Sequence, residues 1–306
     1  MNFLAALKTV WRKTPVIRPC FWAGYRAVYK SLRWLHDFRL PNRDLTLDCL
    51  GKQLHVRNPR RSVIGRSIYL SGIWEHEVTR FISPRIRPGM TVLDVGGDIG
   101  YFTLLFSLGV GPTGRVLVFE PMPQVRKYLE RNIEFNNLQN TQVCRFALAD
   151  RAGTAILEAP FQLSAINLHK TVLAAEDVEV ELKVYDRWSV ETGVGPVDLV
   201  KIDIEGAELT ALLGMADTID SYRPAVLVEI HPERLAQFGQ RPEQLVEFFV
   251  EKGYRGIPVD KSELVFDQGN ITVYWEPDKA AGSDGPAAGS VARAQANPRQ
   301  VHAKPN

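Results

Sequence analysis

Cysteine is scarce in this chain. Cys20, Cys49 and Cys144 are odd in number and lack metal-ligand spacing. That pattern excludes a disulfide framework and reads as reduced thiols in a cytosolic protein. Long apolar runs are missing as well. No uninterrupted stretch approaches the ~18 residues of a membrane-spanning helix, and the apolar start Phe3–Leu7 is too short and badly flanked for a secretory signal. A large net charge is also absent: the total is +2, unevenly placed. Residues 1–45 hold nine Lys/Arg against Asp37 and Asp44, a net +7 that leaves −5 for the rest. An acidic body lacks the clustered positive charge that tracks a phosphate backbone, which argues against a nucleic-acid partner. What is present is 45% hydrophobic residues over 306 positions, enough for one large α/β domain with additions.

The domain is organised around Thr91-Val-Leu-Asp-Val-Gly-Gly-Asp-Ile-Gly-Tyr-Phe-Thr103. Val92–Val95 reads as a buried parallel strand and Gly96, Gly97, Asp98 and Gly100 as a tight turn. Tyr101, Phe102, Leu104, Leu105 and Leu108 then read as a buried helix ending near Gly109. Glycine lets a ligand approach the backbone, and a helix N-terminus favours an anionic group, so this is the first half of a nucleotide-binding unit. Arg115-Val-Leu-Val-Phe-Glu120 is a second buried strand ending in an acid. Glu120 falls where such folds place the carboxylate for a ribose diol.

Nicotinamide dinucleotides and S-adenosylmethionine share this layout. The turn lacks the G-x-G-x-x-G spacing of a dinucleotide site, and it brings Asp94 and Asp98 to where a pyrophosphate would sit. Two acids repel a pyrophosphate and suit a sulfonium and an α-ammonium group. Charge therefore favours S-adenosylmethionine.

Along the chain, residues 1–43 form a basic aromatic arm in which Trp22, Tyr25, Tyr29, Leu32 and Leu35 recur at helical spacing. Two readings stay open: a helix packed across the domain with solvated charges, which is preferred, and a peripheral contact with an anionic membrane surface. A β lead-in occupies 44–58, as Leu45–Leu50 and Gln53–Val56. Gly72–Glu77, with Trp74 and Glu75, opens a helix reaching Ile82. Pro121 and Pro123 start a helix with Val125, Leu129, Ile133 and Phe135 on its apolar face. Thr141–Ala147 is the third core strand, Ala147–Asp150 a loop, and Gly153–Glu158 and Val178–Val184 added strands around a mobile insert at 160–177. Val197–Ile204 is the fourth core strand, Glu205–Glu208 begins a helix, and Ala225–Ile230 is the fifth strand. Pro242 starts a helix that Gly253 stops. Leu264–Phe266 and Ile271–Trp275 read as a closing antiparallel pair. The α/β domain spans 44–276, and residues 277–306 have the composition of a disordered tail.

Four motifs carry a resemblance. Asp94–Phe106, Phe119-Glu-Pro-Met-Pro123, Ala147–Asp150 with Gly153, and Lys201-Ile-Asp-Ile-Glu-Gly-Ala-Glu208 resemble, in order and spacing, those of the FkbM family of S-adenosylmethionine-dependent methyltransferases. The chain departs where family members usually carry Ala-Asn and it has Gly97-Asp98, which adds a negative charge beside the cofactor. The resemblance implies a class I methyltransferase (Rossmann-like) α/β fold: a seven-stranded, mostly parallel sheet with helices on both faces. It places the cofactor at Asp94, Gly96, Gly97, Asp98, Gly100, Tyr101 and Glu120. The adenine falls near Met122 and the Ala147–Asp150 loop, Glu75 can fold over the cofactor from before the first core strand, and Asp203, at the end of the fourth, can face the sulfonium or the substrate.

Methyl transfer needs no general acid, but an alcohol acceptor needs a base. The candidates are Asp203, Glu205 and His231, near the ends of the fourth and fifth strands. Each has an ordinary role too, helix capping for the acids and structural hydrogen bonding for the histidine. Metal assistance from Asp203 and Glu205 stays open, although no dedicated metal-ligand cluster is visible in the sequence. The expected activity is O-methylation of a small molecule, sugar or glycan. The alternatives are a nicotinamide-dependent oxidoreductase and a non-catalytic membrane-associated scaffold that keeps the fold.

Overall fold

The computed structural model describes residues 40–158, 177–261, 263–266 and 269–278. The expected arm helix, mobile insert and disordered tail fall almost wholly outside the described residues. The hairpin β1 (Leu45–Cys49) and β2 (Lys52–Val56) leads through α1 (Val63–Ser71) and α2 (His76–Ile82) into the sheet. There follow β3 (Thr91–Val95), α3 (Tyr101–Val110), β4 (Arg115–Phe119), α4 (Pro123–Phe135) and β5 (Thr141–Cys144). A side sheet is made by β6 (Ala147–Leu148), β7 (Gly153–Glu158) and β8 (Asp177–Lys183). The chain returns through α5 (Tyr185–Thr192), β9 (Leu199–Ile202), α6 (Glu208–Leu213), α7 (Ala216–Tyr222) and β10 (Ala225–Ile230). It closes with α8 (Pro232–Leu235), α9 (Pro242–Glu251), β11 (Tyr254–Pro258) and β12 (Ile271–Pro277).

The main sheet has seven strands in the order β11-β12-β10-β9-β3-β4-β5. All neighbours run parallel except β12, which is antiparallel to β10 and β11. The apolar strand runs explain this. In β3, β4 and β9 nearly every residue is buried, as a strand covered on both faces requires. Alternation sends Leu93, Val95, Leu117, Phe119, Val200 and Ile202 into one core with residues of α5–α7 and α9. It sends Val92, Val116, Leu199 and Leu227 into the other with α3. The chain leaves β3 toward β4 and β5 on one side and returns to β9 and β10 on the other. The gap at the carboxyl ends of β3 and β9 is therefore the topological switch point, where open α/β sheets bind ligands.

Several local readings are corrected. The third core strand ends at Cys144, and Ala147–Leu148 pairs instead with β8. Phe146 turns its ring against Phe119 and Trp188, at centroid distances of 5.6 and 5.3 Å, and draws the chain out of the main sheet. Leu264–Phe266 is not a strand. The partner of β12 is β11, whose Gly256 and Pro258 hid its alternation. Gly256 lies flat on the Trp275 ring, where a Cβ would come within 2.8 Å. Phe135 is 57% exposed, and Asn132 takes its expected place in the buried stripe of α4. The Asn132 amide accepts from His55 N–H and donates to the carbonyls of His55 and Ile99, tying the hairpin to the glycine turn. The helix expected to open at Glu205 starts at Glu208, because Glu205 adopts φ +54° in a turn. Pro277, assigned to the tail, is the last residue of β12. Among the described residues, no helix is long and apolar enough to cross a membrane.

Candidate active site

The turn after β3 is tight because other elements press on it. At Gly96, with φ +87°, a Cβ would stand 1.9 Å from the backbone oxygen of Asp203. At Gly97 it would stand 2.2 Å from Val118 Cγ2, and at Gly100 2.9 Å from Leu129 Cδ1. On their Cβ side these glycines serve the approach of β9, β4 and α4, with the space filled by protein. They bring the turn into contact with the end of β9. Asp203 N–H also donates to Val95 O at 3.0 Å.

Asp98, with φ +46°, donates its N–H to Glu120 Oε2 at 3.1 Å, and Met122 N–H donates to Oε1 at 2.9 Å. Glu120 is thus aimed at the turn and is only 7% exposed. Burial pushes its carboxyl up to about 8, despite the two N–H donors. A carboxyl raised from 4.5 stabilises the fold fully below pH 4.5 and loses that contribution as pH rises through about 8. Burial raises Asp94, to about 6, in the same sense. With no nucleoside added, the melting temperature should fall from pH 4.5 to 8, and Glu120→Gln should flatten the slope. Melting curves that rise across this window, or an unaltered slope in the variant, would remove Glu120 as the cause.

Asp94 is fully buried. Its Oδ2 accepts from Thr103 Oγ1 at 2.6 Å, while its Oδ1 has no partner among the described residues. Its register partner across β9 is Lys201, 4% exposed, whose Nζ donates to Asp203 Oδ2 at 3.1 Å and lies 4.8 Å from the Phe102 ring centre. Burial alone would lower the Lys201 pKa, but Asp203, Asp94 and Glu75 outweigh it and hold the ammonium charged.

His231, 2% exposed, follows β10. Its Nδ1 lies 2.7 Å from Oε1 of the fully buried Glu208, which also accepts Gly206 N–H at 2.8 Å. Its Nε2 faces Glu229 Oε1 at 3.6 Å and both Asp203 Oδ1 and Glu205 Oε2 at 3.8 Å. Burial would lower the imidazole pKa, yet Glu208, Asp203 and Glu229 bring it to about 9. Burial raises Glu229 to about 7. The donor atoms of Asp203, Glu229 and His231 lie within 4.8 Å of one another.

The fold thus brings Asp203, Glu205 and His231 together at one sheet edge, beside Asp94 and the glycine turn. Glu75 joins them from before β3. It sits at φ +41° ahead of α2, and burial lifts it to about 8, with the charges of Lys201, Asp203 and Glu229 acting on it. Met122 is buried against Val125, Leu157 and Val178. Ala147 pairs in β6, and Asp150 is exposed beyond it. Tyr101 is spent on packing: its side chain is 1% exposed and its hydroxyl meets Thr79 Oγ1 at 3.2 Å. Sequence reasoning missed Lys201, Glu208 and Glu229 as members of the site. The signal was there: Lys201-x-Asp203 and Glu229-x-His231 end adjacent parallel strands with polar residues two apart.

Glu75, Asp94, Asp98, Glu120, Asp203, Glu205, Glu208 and Glu229 crowd this edge against Lys201, His231 and the half-exposed Arg234. A pyrophosphate would be repelled here, whereas a ligand carrying a sulfonium and an ammonium is suited to it. The unpartnered Asp94 Oδ1 is a further place for a donor. The residues fit S-adenosylmethionine.

Comparison with known proteins agrees. The Methyltransferase FkbM domain matches residues 94–255. The antimetabolite synthetase AmbE of Pseudomonas aeruginosa is 25% identical over 205 residues, 55% of this chain and 10% of that protein. The 31-O-demethyl-FK506 methyltransferase FkbM of Streptomyces tacrolimicus is 30% identical over 176 residues, 48% of this chain and 67% of that protein. The hexuronic acid methyltransferase AglP of Haloferax volcanii is 29% identical over 159 residues, 51% of this chain and 62% of that protein. The chain therefore spans a tenth of the first relative and less than two thirds of the third. A domain match over more than half the chain, on a sheet whose switch point carries this turn and this acidic edge, establishes that the chain belongs to the FkbM family of methyltransferases.

Proposed function

We propose that the protein transfers the methyl group of S-adenosylmethionine to a hydroxyl of a small molecule, sugar or glycan. The observation that carries this is the contact between the glycine turn and the end of β9, which sets Asp203 beside the place where a sulfonium fits. The relatives support the acceptor class, one being named for an O-demethyl compound and another for a hexuronic acid.

In this reading Gly96, Gly97, Asp98 and Gly100 hold the methionine portion, with Asp94 as the ammonium partner. Glu120 takes the ribose diol, and Met122 with the Ala147–Asp150 loop borders the adenine. When bound, the cofactor supplies a methyl on a sulfonium and a neutral thioether leaving group. The residues of the chain must align the hydroxyl within ~3–3.5 Å of that methyl and receive its proton. Asp203 and Glu205 are the carboxylates of the cluster best placed for this, with side chains 24% and 41% exposed. Lys201 holds Asp203 Oδ2 and leaves Oδ1 facing the cluster. His231 is fixed behind them by Glu208.

Mass spectrometry of hydroxylated acceptors after incubation with methyl-labelled cofactor tests the reading. A labelled ether is the expected product, and labelled amines or thiols alone would overturn the hydroxyl assignment. Glu120→Ala should weaken cofactor binding by about 1–3 kcal/mol, the cost of leaving the ribose hydroxyls without that partner. Unchanged affinity in calorimetry, with the fold intact, would remove Glu120 from the ribose role.

A further inference from the structure

We infer that Asp203, Glu229 and His231 form a binding site for a divalent metal ion. The first observation is the geometry around His231 Nε2. Its side chain is 3% exposed, and Nε2 points at Glu229 Oε1 at 3.6 Å and at Asp203 Oδ1 and Glu205 Oε2 at 3.8 Å. A proton on Nε2 would draw one oxygen to about 2.7–3.2 Å, the range of an N–H···O bond. None of the three is that close, and Nε2 makes no hydrogen bond among the described residues. The spacing is instead that of donors around a common centre. Ligands each about 2.0–2.4 Å from one ion stand roughly 3–4 Å apart when adjacent and up to about 4.8 Å when opposed. The donor atoms of Asp203, Glu229 and His231 all lie within 4.8 Å of one another.

The second observation is independent of the first. Glu208 Oε1 sits 2.7 Å from Nδ1 of His231, with Glu208 fully buried. Nδ1 is thereby engaged by Glu208, and Nε2 is the ring atom turned toward the cluster, the carboxylate–histidine–metal arrangement of metal sites. The carboxylate ligands are oriented in the same way. Lys201 Nζ holds Asp203 Oδ2 and turns Oδ1 inward. Asn270 Nδ2 donates to Glu229 Oε1 at 3.0 Å and holds that oxygen toward the cluster. Two carboxylates and one imidazole, with remaining positions open to water or substrate, suit Mn²⁺ or Mg²⁺, and the nitrogen favours manganese.

The site lies where the proposed acceptor hydroxyl would sit, and its role there rests on the function proposed above. A cation against that hydroxyl eases loss of its proton. With Asp203 engaged as a ligand, the proton passes to Glu205, outside the ligand set. The hydroxyl oxygen then forms its bond to the methyl carbon as the carbon–sulfur pair stays on sulfur.

The test uses the full chain stripped with a chelator and titrated with Mn²⁺, free ion being read by electron paramagnetic resonance. One Mn²⁺ per chain is expected in the wild type. His231→Ala and the isosteric Glu229→Gln should each weaken binding more than ~10-fold. Glu208→Gln should weaken it about 10–100-fold, as loss of an orienting partner does. S-adenosylmethionine binding, measured on the same preparations, checks that each variant is folded and separates the two readings. A wild type that binds the cofactor and not Mn²⁺ overturns the metal site alone. Equal Mn²⁺ affinity in wild type and folded Glu229→Gln overturns it as well. Stoichiometric Mn²⁺ binding lost in both ligand variants supports the site, whichever acceptor is later found.

Discussion

Asp203→Asn should lower kcat by ~10²–10⁴-fold while changing cofactor affinity much less. The substitution keeps the shape and removes the charge. Asp203 is the point where the components of the site meet. Its backbone packs on Gly96, its Oδ2 is held by the buried Lys201, and its Oδ1 faces His231 Nε2. Whether it receives a proton or holds a cation, the neutral amide fails at the same step, the activation of the acceptor. In the proposed reading the adenosine end of the cofactor is held by Glu120 and Met122, between β4 and α4, which the substitution leaves alone. His231→Ala is the informative pair. It strands Glu208, a fully buried carboxylate, so its stability must be read beside its turnover. Near-normal turnover in Asp203→Asn, with activity abolished in a folded His231→Ala, would make Asp203 a positioning residue.

Gly96→Ala should cost stability on the order of 2–5 kcal/mol. An alanine at φ +87° carries about 1–2 kcal/mol of left-handed strain. A Cβ 1.9 Å from the Asp203 backbone oxygen adds the cost of overpacking, about 1–3 kcal/mol, because backbone and not a movable side chain is in the way. Against a total stability of about 5–15 kcal/mol this is a large fraction. Gly51→Ala is the control, since Gly51 has φ +72° and nothing within 4 Å of its Cβ position. Urea unfolding of both separates strain from clash. Equal losses would show that the approach of β9 to the turn does not constrain Gly96.

The sheet was legible because burial on both faces leaves an unbroken apolar signature, as in Val92–Val95, Val116–Phe119 and Val226–Val228. The glycine turn, Glu120, Asp203 and His231 were legible because each stands at the end of such a run. Edges and surfaces were not. Tyr254–Pro258 hides its alternation behind Gly256 and Pro258, although Trp275 needs that glycine. Phe135 fits a helical stripe that Asn132 in fact completes through hydrogen bonds to the hairpin. The Glu229–His231 pair escaped notice for a different reason. Its meaning depends on parallel register with Lys201–Asp203, a relation between segments far apart in sequence. Glu208 looked like a helix-start acid, and only burial beside His231 shows its other use.

The central strand pair has a consequence for how the molecule comes into being. β3 and β9 are neighbours joined by bonds such as Thr91 N–H to Asp198 Oδ2, across 107 positions of chain. Everything between them must be synthesised, and its loop closed, before Asp94 can meet Lys201. A nascent chain that has emerged through β5 exposes one edge of β3, an apolar strand awaiting its partner. The interval from residue 145 to 198 is thus the span over which this protein is most open to mispairing, and a chaperone that shields a strand edge would act there.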